Sequence, residues 1–275
     1  MRKSLVILIS TFVLFGCGAN SILSGSKYQP GKNDVVDIHG NIDNLHMMDK
    51  FINDFQNMRK SEIRIVRYTI EGDPILTDLK YDKKTINYTF DTTRDQYGNG
   101  SITTKQCQNI EKNETNVEMT YSLQCKGDLE DNSILYINYD SSKEDYFGFH
   151  LKYGVNMKNE VNTKAEKLVK DLQNGETVVV NDFRFSTEEL NKIYKSMKLA
   201  SFLESKDLKT SCNKEPYQSY EITIWINDAE KRYKWTECDR SKDGVKMKQI
   251  VQEIIEVLQQ NNTYKSLPET MGYYE

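Results

Sequence analysis

The first 17 residues constrain this chain most, because they indicate where the rest of it folds. Arg2 and Lys3 form a short basic start, and the 11 residues Leu5–Phe15 are apolar apart from Ser10 and Thr11. A helix of that length is too short to cross a hydrocarbon core of roughly 30 Å, but it is typical of a secretory signal peptide. We therefore expect the remaining chain to fold outside the cytoplasm, where disulfides form and persist.

The signal segment ends in Leu14-Phe15-Gly16-Cys17. An apolar residue three before a cysteine, with a small residue directly before it, resembles a bacterial lipobox. The resemblance implies that residues 1–16 are a lipoprotein signal peptide and that Cys17 becomes a lipidated N-terminus. The protein would then be lipid-anchored to the cell membrane on its extracytoplasmic face, without a spanning helix. An ordinary signal peptide with an incidental cysteine is the alternative.

Composition bounds the 258 residues after Cys17. Hydrophobic residues make up 37% of the chain and include 17 Tyr and 10 Phe, so a sizeable core can form. The 37 basic residues, less Arg2 and Lys3, face 41 acidic ones, which leaves a mature net charge of −6. An acidic surface argues against nucleic acid as a partner and against polybasic docking on anionic lipid.

Four further cysteines, Cys107, Cys125, Cys212 and Cys238, predict two disulfides in an exported chain. Four cysteines allow three connectivities, of which Cys107–Cys125 with Cys212–Cys238 is the local one. Neither spacing is C-x-x-C, and histidine occurs only at positions 39, 46 and 150, so we expect no zinc site. We also expect no cofactor.

The order of patterns predicts an α+β fold, with two units of antiparallel sheet packed with helices and one disulfide in each. Residues 17–33, after the cleavage site, are rich in Gly, Ser and Asn and predict a flexible tether behind the lipidated cysteine. We place an N-terminal α+β domain at residues 34–157 and a C-terminal α+β domain at 158–275. The charged stretch Asn156–Asn162 sets that boundary.

In the first unit, Asp43 or Asn44 can cap a helix whose apolar stripe runs from Met47 to Met58. Period-two stretches then predict an antiparallel sheet, whose strands are Ile63–Ile70, Ile75–Tyr81, Thr85–Phe90, Ser101–Ile110, Asn116–Cys125, Ile134–Tyr139 and Phe147–Tyr153. One bulge in the fourth and fifth of these would bring Cys107 and Cys125 face to face.

In the second unit, Ala165, Leu168, Val169 and Leu172 have helical spacing, and Gly175 stands where a C-terminal cap belongs. Strand, helix, hairpin and helix are predicted to follow. These are a strand at Thr177–Phe185, a helix after the capping box Ser186-Thr187-Glu188-Glu189, a hairpin of Tyr220–Ile226 with Arg232–Thr236, and a helix from Val245 to about Gln260. Residues 264–275 predict a loose tail.

Acidic residues in two loops are the candidates for chemistry. Asp91, Asp95 and Asn99 could offer oxygens to Ca²⁺, but their spacing departs from the known calcium loop, and a turn with locally bonded side chains is the preferred interpretation. Glu71 with Asp73, or Asp91 with Asp95, could form the carboxylate pair of a glycosidase. With 41 acidic residues such pairs arise by chance, so solvated surface is the simpler reading.

Two tryptophans lie on the predicted hairpin near the C-terminus. With a turn centred near Ala229, Trp225 and Trp235 would be offset by two residues on paired strands. They could form a sugar platform, but cross-strand packing is the commoner role. We expect at least one of them to be buried, because the helix at Val245–Leu258 needs an apolar face to cover.

Several stretches resemble a known family. The first is Thr69-Ile70-Glu71-Gly72-Asp73-Pro74-Ile75, followed by Asp91-x-x-Arg94-Asp95-x-Tyr97-Gly98 and the pair Cys107 and Cys125. These are similar to Gram-positive exported lipoproteins catalogued only as a domain of unknown function. Residues 183–190 and 233–238 resemble the C-terminal part of longer members. The resemblance carries over no catalytic residue.

Together these patterns favour a binding or scaffold module over an enzyme. Its partner would be an extracellular protein or a glycan, reached from the membrane surface. The alternatives are an envelope hydrolase with a carboxylate pair and an inhibitor or immunity protein. A shallow apolar patch rimmed with charge would favour binding, whereas a deep pocket with two facing carboxylates would favour catalysis.

Overall fold

The computed structural model describes residues 28–128 and 132–274. Of these residues 40% lie in strands and 20% in helices, arranged as a curled eight-stranded sheet and a six-stranded sheet. The expected α+β fold is therefore wrong, and the protein is mostly β. Stretches without a clear period proved to be strands, because pairing with neighbours outweighs weak local preference.

The first sheet has the order β2-β1-β3-β4-β5-β6-β7-β8. Its neighbours are antiparallel, except that β1 runs parallel to β3. The strands are β1 (Val35–Ile38), β2 (Asn41–Asp43), β3 (Ser61–Tyr68), β4 (Pro74–Tyr81), β5 (Ile86–Asp91), β6 (Ile102–Glu114), β7 (Glu118–Cys125) and β8 (Asn132–Asn138). The strands β1 and β2 were not predicted.

Helix α1 (His46–Gln56) connects β2 to β3 and buries Met48 and Phe51 in the core. The predicted apolar stripe is confirmed from Met47 to Phe55, whereas Met58 lies beyond the helix and is 71% exposed, and the predicted cap is wrong. Among the residues that the structure describes, no side chain caps the helix, and the side-chain amide of Asn44 instead donates to the carbonyls of Lys32 and Asp34. That contact holds the segment before β1 in place.

The second sheet is antiparallel throughout, with the order β12-β11-β10-β9-β13-β14. Its strands are β9 (Phe147–Val155), β10 (Asn159–Asn162), β11 (Lys167–Asp171), β12 (Thr177–Asn181), β13 (Gln218–Ile226) and β14 (Ala229–Thr236). The helices are α2 (Thr187–Leu199), α3 (Lys242–Gln260) and the short α4 (Asn262–Lys265), and residues 141–143 form a 3₁₀ turn. The capping box of Ser186 and Glu189 at the start of α2 is confirmed.

The helix expected at Ala165–Leu172 is wrong, because this segment contains β11. Leu168 and Leu172 are buried as their spacing suggested, yet the backbone pairs with β10 on one side and β12 on the other. Because β11 lies inside the sheet, Lys170 is also buried, and its ammonium lies 4.6 Å from the ring centroid of Tyr264.

One hydrophobic cluster contains buried side chains from both sheets. The predicted domain boundary at residues 157 and 158 falls between β9 and β10, which are neighbours in one sheet. Polar contacts also join the halves, since the side chain of Asn191 accepts from the amide and hydroxyl of Ser141. The division into two domains stays a prediction.

Candidate functional site

A cleft of about 830 Å³ lies beside the first half of β3. We call it the β3 cleft. It is lined by Asn33 and Asp34 before β1, Met47 and Lys50 of α1, residues 60–64 at the start of β3, and residues 78–82 at the end of β4, where Lys60 directly precedes β3 and Asp82 directly follows β4. It exists because β1 is shorter than β3. In the parallel pair, Val35 stands opposite Ile65, so no strand of residues 28–128 and 132–274 pairs with Ser61–Arg64 on that side.

A tight turn keeps the chain from extending β1 into the cleft. The amide of Asp34 donates to the carbonyl of Gly31 at 3.0 Å, and its carboxylate accepts from the amide of Gly31 at 2.8 Å. This local closure competes with strand formation, as Asp side chains commonly do in turns. The edge of β3 therefore stays open over four residues.

The hydrogen-bond alternation of antiparallel strands shows which peptide groups face the cleft. The amide of Thr69 donates to the carbonyl of Asp73 at 2.9 Å, and Pro74, opposite Tyr68, has no N–H to give. Directly bonded pairs alternate with unbonded ones along such a ladder. Odd-numbered residues of β3 therefore bond to β4, and even-numbered residues turn their peptide groups toward β1 or, where β1 is missing, into the cleft.

The two walls of the cleft differ in polarity. On the side of α1, Ile63 and Tyr81 are buried core residues, and Met47 packs against the same core. On the opposite side, Arg64 makes a bidentate pair with Asp78 at 2.6 and 2.7 Å. The cleft thus offers an apolar wall and a charged wall on either side of an open strand edge.

Asp54 organises the end of α1 beside the cleft. This buried carboxylate accepts from Lys50 and Arg59, each at 2.8 Å, and from the hydroxyl of Ser61 at 3.0 Å. The bonds from Lys50 and Arg59 stabilise the charged form and lower the pKa of Asp54 from 3.8 to about 2. Lys50 and Ser61 line the cleft, so Asp54 fixes two of its side chains.

Tyr28, the first described residue, lies next to the charged wall. Its hydroxyl accepts from the guanidinium of Arg64 at 3.1 Å, and the guanidinium of Arg94 lies 5.7 Å from its ring centroid. Hydrogen bonding to Asp78 chiefly raises the pKa of Arg64, and Tyr28 adds to the shift. The chain therefore enters the described fold close to the β3 cleft.

The carboxylates of the predicted acidic loop accept hydrogen bonds from residues of the same loop. The carboxylate of Asp91 accepts from the amide and hydroxyl of Thr93 at 2.8 and 2.6 Å and from Arg94 at 2.7 Å. The hydroxyl of Thr93 is the main cause that lowers the pKa of Asp91. Asp95 accepts from the amides of Tyr97 and Gly98. These contacts match the interpretation as a turn.

Two loops carry the family resemblance, residues 69–75 and residues 91–98, and these family-like loops contact each other. The carboxylate of Asp73 accepts from the amide and the side chain of Gln96 at 2.8 and 3.2 Å. Ile70 and Tyr97, on these two loops, are 89% and 80% exposed, and Glu71 is also exposed. The structure therefore brings two of the stretches that carry the resemblance to one end of the first sheet, outside the β3 cleft.

The tryptophans lie on opposite faces of the second sheet. Trp235 opposes Tyr220, stacks on it at 5.2 Å and is 1% exposed, so the expected buried tryptophan is confirmed. Trp225 opposes Glu230 and donates to its carboxylate at 2.9 Å. The predicted two-residue offset is wrong, because the turn between the strands is two residues long and moves the register.

The histidines do not come together. His39 is in the turn after β1, His46 begins α1, and His150 lies 2.9 Å from Glu160 on the second sheet. Within residues 28–128 and 132–274, no group of three or more His, Cys, Asp or Glu side chains could hold a metal ion.

Both predicted disulfides are confirmed. Cys107 pairs with Cys125 across β6 and β7, where a bulge follows Cys107, and Cys212 pairs with Cys238. Cys17, the predicted lipidation site, lies outside the described residues. Among the helices that the structure describes, none has the length and hydropathy needed to cross a membrane.

Residues 32–122 match a domain of unknown function, DUF4362. This stretch holds the whole β3 cleft and both family-like loops. No curated protein and no solved structure matches the chain. An uncharacterised family is therefore supported for residues 32–122, whereas the lipobox and a Gram-positive origin stay predictions. Sequence reasoning missed the cleft, because only the parallel pairing of β1 reveals it.

Proposed function

We propose that this protein is a binding module held at the extracytoplasmic face of the membrane by lipid on Cys17, with the β3 cleft as its ligand site. The observation that carries the proposal is the open edge of Ser61–Arg64 between two walls. Proteins usually shorten, cover or charge their sheet edges, because unpaired peptide groups recruit other chains. Here the edge instead borders a cavity of ligand size.

The composition of the cleft suits recognition. It joins buried apolar side chains, an arginine–carboxylate pair and free strand edge in one concavity, and such mixtures give a ligand both affinity and orientation. Arg64 of the cleft also donates to the hydroxyl of Tyr28, the first described residue, which the proposed tether would precede. A ligand in the cleft would therefore be held near the membrane surface.

The alternative function, an envelope hydrolase, needs a carboxyl group that stays protonated as a general acid. The turn contacts of Asp91 lower its pKa and keep it ionised. Among the described carboxyl groups, Glu253 has its pKa raised, by burial and by neighbouring Glu256. These two lie on consecutive turns of one helix, so they do not face each other across a substrate, and binding remains the first proposal.

The test is a comparative pull-down with the mature protein, residues 17–275, tethered at its N-terminus. Asn33→Trp places a bulky ring in the cleft, and Lys32→Trp adds the same ring at an exposed neighbour outside it. We expect extracellular or membrane partners captured by wild type and by Lys32→Trp to be lost with Asn33→Trp. Equal capture by all three proteins would show that the cleft is not the binding site.

A further inference from the structure

We infer that the β3 cleft takes an extended polypeptide segment, which adds a strand to the edge of β3. This inference rests on the proposed function and names the class of ligand. An added segment would lie in line with β1 and fill the place that β1 leaves vacant beside Ser61–Arg64. Four paired residues correspond to about 13 Å of strand.

The backbone supplies the main recognition. By the alternation along β3, Glu62 turns its N–H and C=O into the cleft, and Arg64 turns its N–H there. Within the described parts of the chain, no hydrogen bond from a loop or a side chain reaches these groups. A peptide in extended conformation presents donors and acceptors at the matching spacing, as in other cases of strand addition.

The walls determine which side chains such a segment can carry. A residue beside Ile63 would point toward the apolar wall with Met47 and Tyr81, because directly adjacent residues of a sheet share a face. Residues beside Glu62 and Arg64 would point to the charged wall. The ligand should therefore alternate apolar and charged residues.

Charge on the lining excludes a strongly charged ligand. Four acidic residues balance four basic ones in the cleft, so it has no net field that would select a polyanion or a polycation. Several of these charges are already paired, as Arg64 is with Asp78 and Lys80 with Glu62 at 3.6 Å. A peptide that carries both signs of charge fits this lining.

The probe is an array of synthetic heptapeptides that alternate Val or Ile with Lys or Glu. The matched control peptides have the same composition with the apolar residues grouped together. Each binding peptide is also made with N-methyl groups on alternate residues, which remove one edge of its backbone donors. We expect alternating peptides to bind better than grouped ones, and one of the two methylated sets to lose binding.

The protein variant that tests the backbone contact is Glu62→Pro. Because the N–H of Glu62 faces the cleft, proline removes a donor there and leaves the bonds between β3 and β4 intact. Glu62→Thr removes the same side chain and keeps the N–H. We expect Glu62→Pro to bind peptide about tenfold more weakly than Glu62→Thr, which corresponds to roughly the loss of one hydrogen bond.

The other outcomes contradict the inference in distinguishable ways. If Glu62→Pro unfolds while Glu62→Thr is stable, the N–H of residue 62 belongs to the β4 ladder and the assignment is wrong. Equal binding of both methylated peptide sets would overturn strand addition and leave the binding module standing. A partner that depends on the cleft but is not a peptide would also contradict strand addition, while the cleft would remain the binding site. Dimerisation abolished by Asn33→Trp would assign the cleft to a second copy.

Discussion

Truncation of the buried tryptophan gives the sharpest test of the packing in the second sheet. Trp235 is 1% exposed and stacks on Tyr220, whereas Trp225 lies on the opposite face and is only half-buried. Removing a buried indole costs about 3–5 kcal/mol, because it forfeits transfer energy and leaves a cavity. For a chain of this size the melting temperature should fall by roughly 6–20 °C.

The indole N–H of Trp235 refines this prediction. Within the described part of the chain this buried donor has no hydrogen-bond partner, which costs about 1–3 kcal/mol. Trp235→Phe keeps an aromatic ring against Tyr220 and removes the donor, so lost packing and relieved desolvation offset each other. We expect Trp235→Phe to remain within about 1 kcal/mol of wild type.

Thermal unfolding followed by circular dichroism, with the disulfides intact, measures these effects. Trp225→Ala is the matched control, because its side chain covers the outer face of the same strand pair and should cost under about 1 kcal/mol. The reasoning fails if Trp235→Ala melts within a degree or two of wild type, or if Trp225→Ala is the more damaging change.

Two further predictions concern the lipid anchor and the stability of the protein at acidic pH. Cys17→Ser should release the protein from membranes or leave its precursor uncleaved, and a processed variant that stays on membranes in high salt would contradict the lipid anchor. Asp54 has a folded-state pKa of about 2 against 3.8 unfolded, so its contribution to stability is complete above about pH 4 and lost toward pH 2. Asp54→Asn should therefore be less stable than wild type at pH 7 and converge with it near pH 2 in urea unfolding. A stability gap that is independent of pH would contradict the ion-pair account.

Local patterns in the sequence determined the elements whose signals are strong over a few residues. Apolar stripes located α1, α2 and α3, and the capping box fixed the start of α2 at Ser186. The cysteine spacing pointed to the local disulfides, since a hairpin brings Cys107 and Cys125 together with one bulge. In each case a short stretch of chain contains all the interactions that decide the outcome.

Where the hydrophobic spacing fits more than one local structure, only the tertiary structure decides which one forms. Leu168, Val169 and Leu172 suit one face of a helix as well as a buried strand, and only the neighbours β10 and β12 decide between them. The register of β13 and β14 depended likewise on one turn. Asn227 adopts a left-handed conformation with φ of 50°, which closes the hairpin in two residues and places Trp225 and Trp235 on opposite faces.

The β3 cleft lies beyond any local pattern. It depends on a parallel pair between β1 and β3, whose residues Val35 and Ile65 are 30 positions apart, and on the turn at Gly31–Asp34, after which β1 begins. The sequence by itself determined the disulfides and the helical faces, because those signals reside in contiguous residues, whereas export stays a prediction. Only the tertiary structure decided which strand edge stays open, because edge and walls come from four separate segments whose pairing energy is shared across the whole sheet.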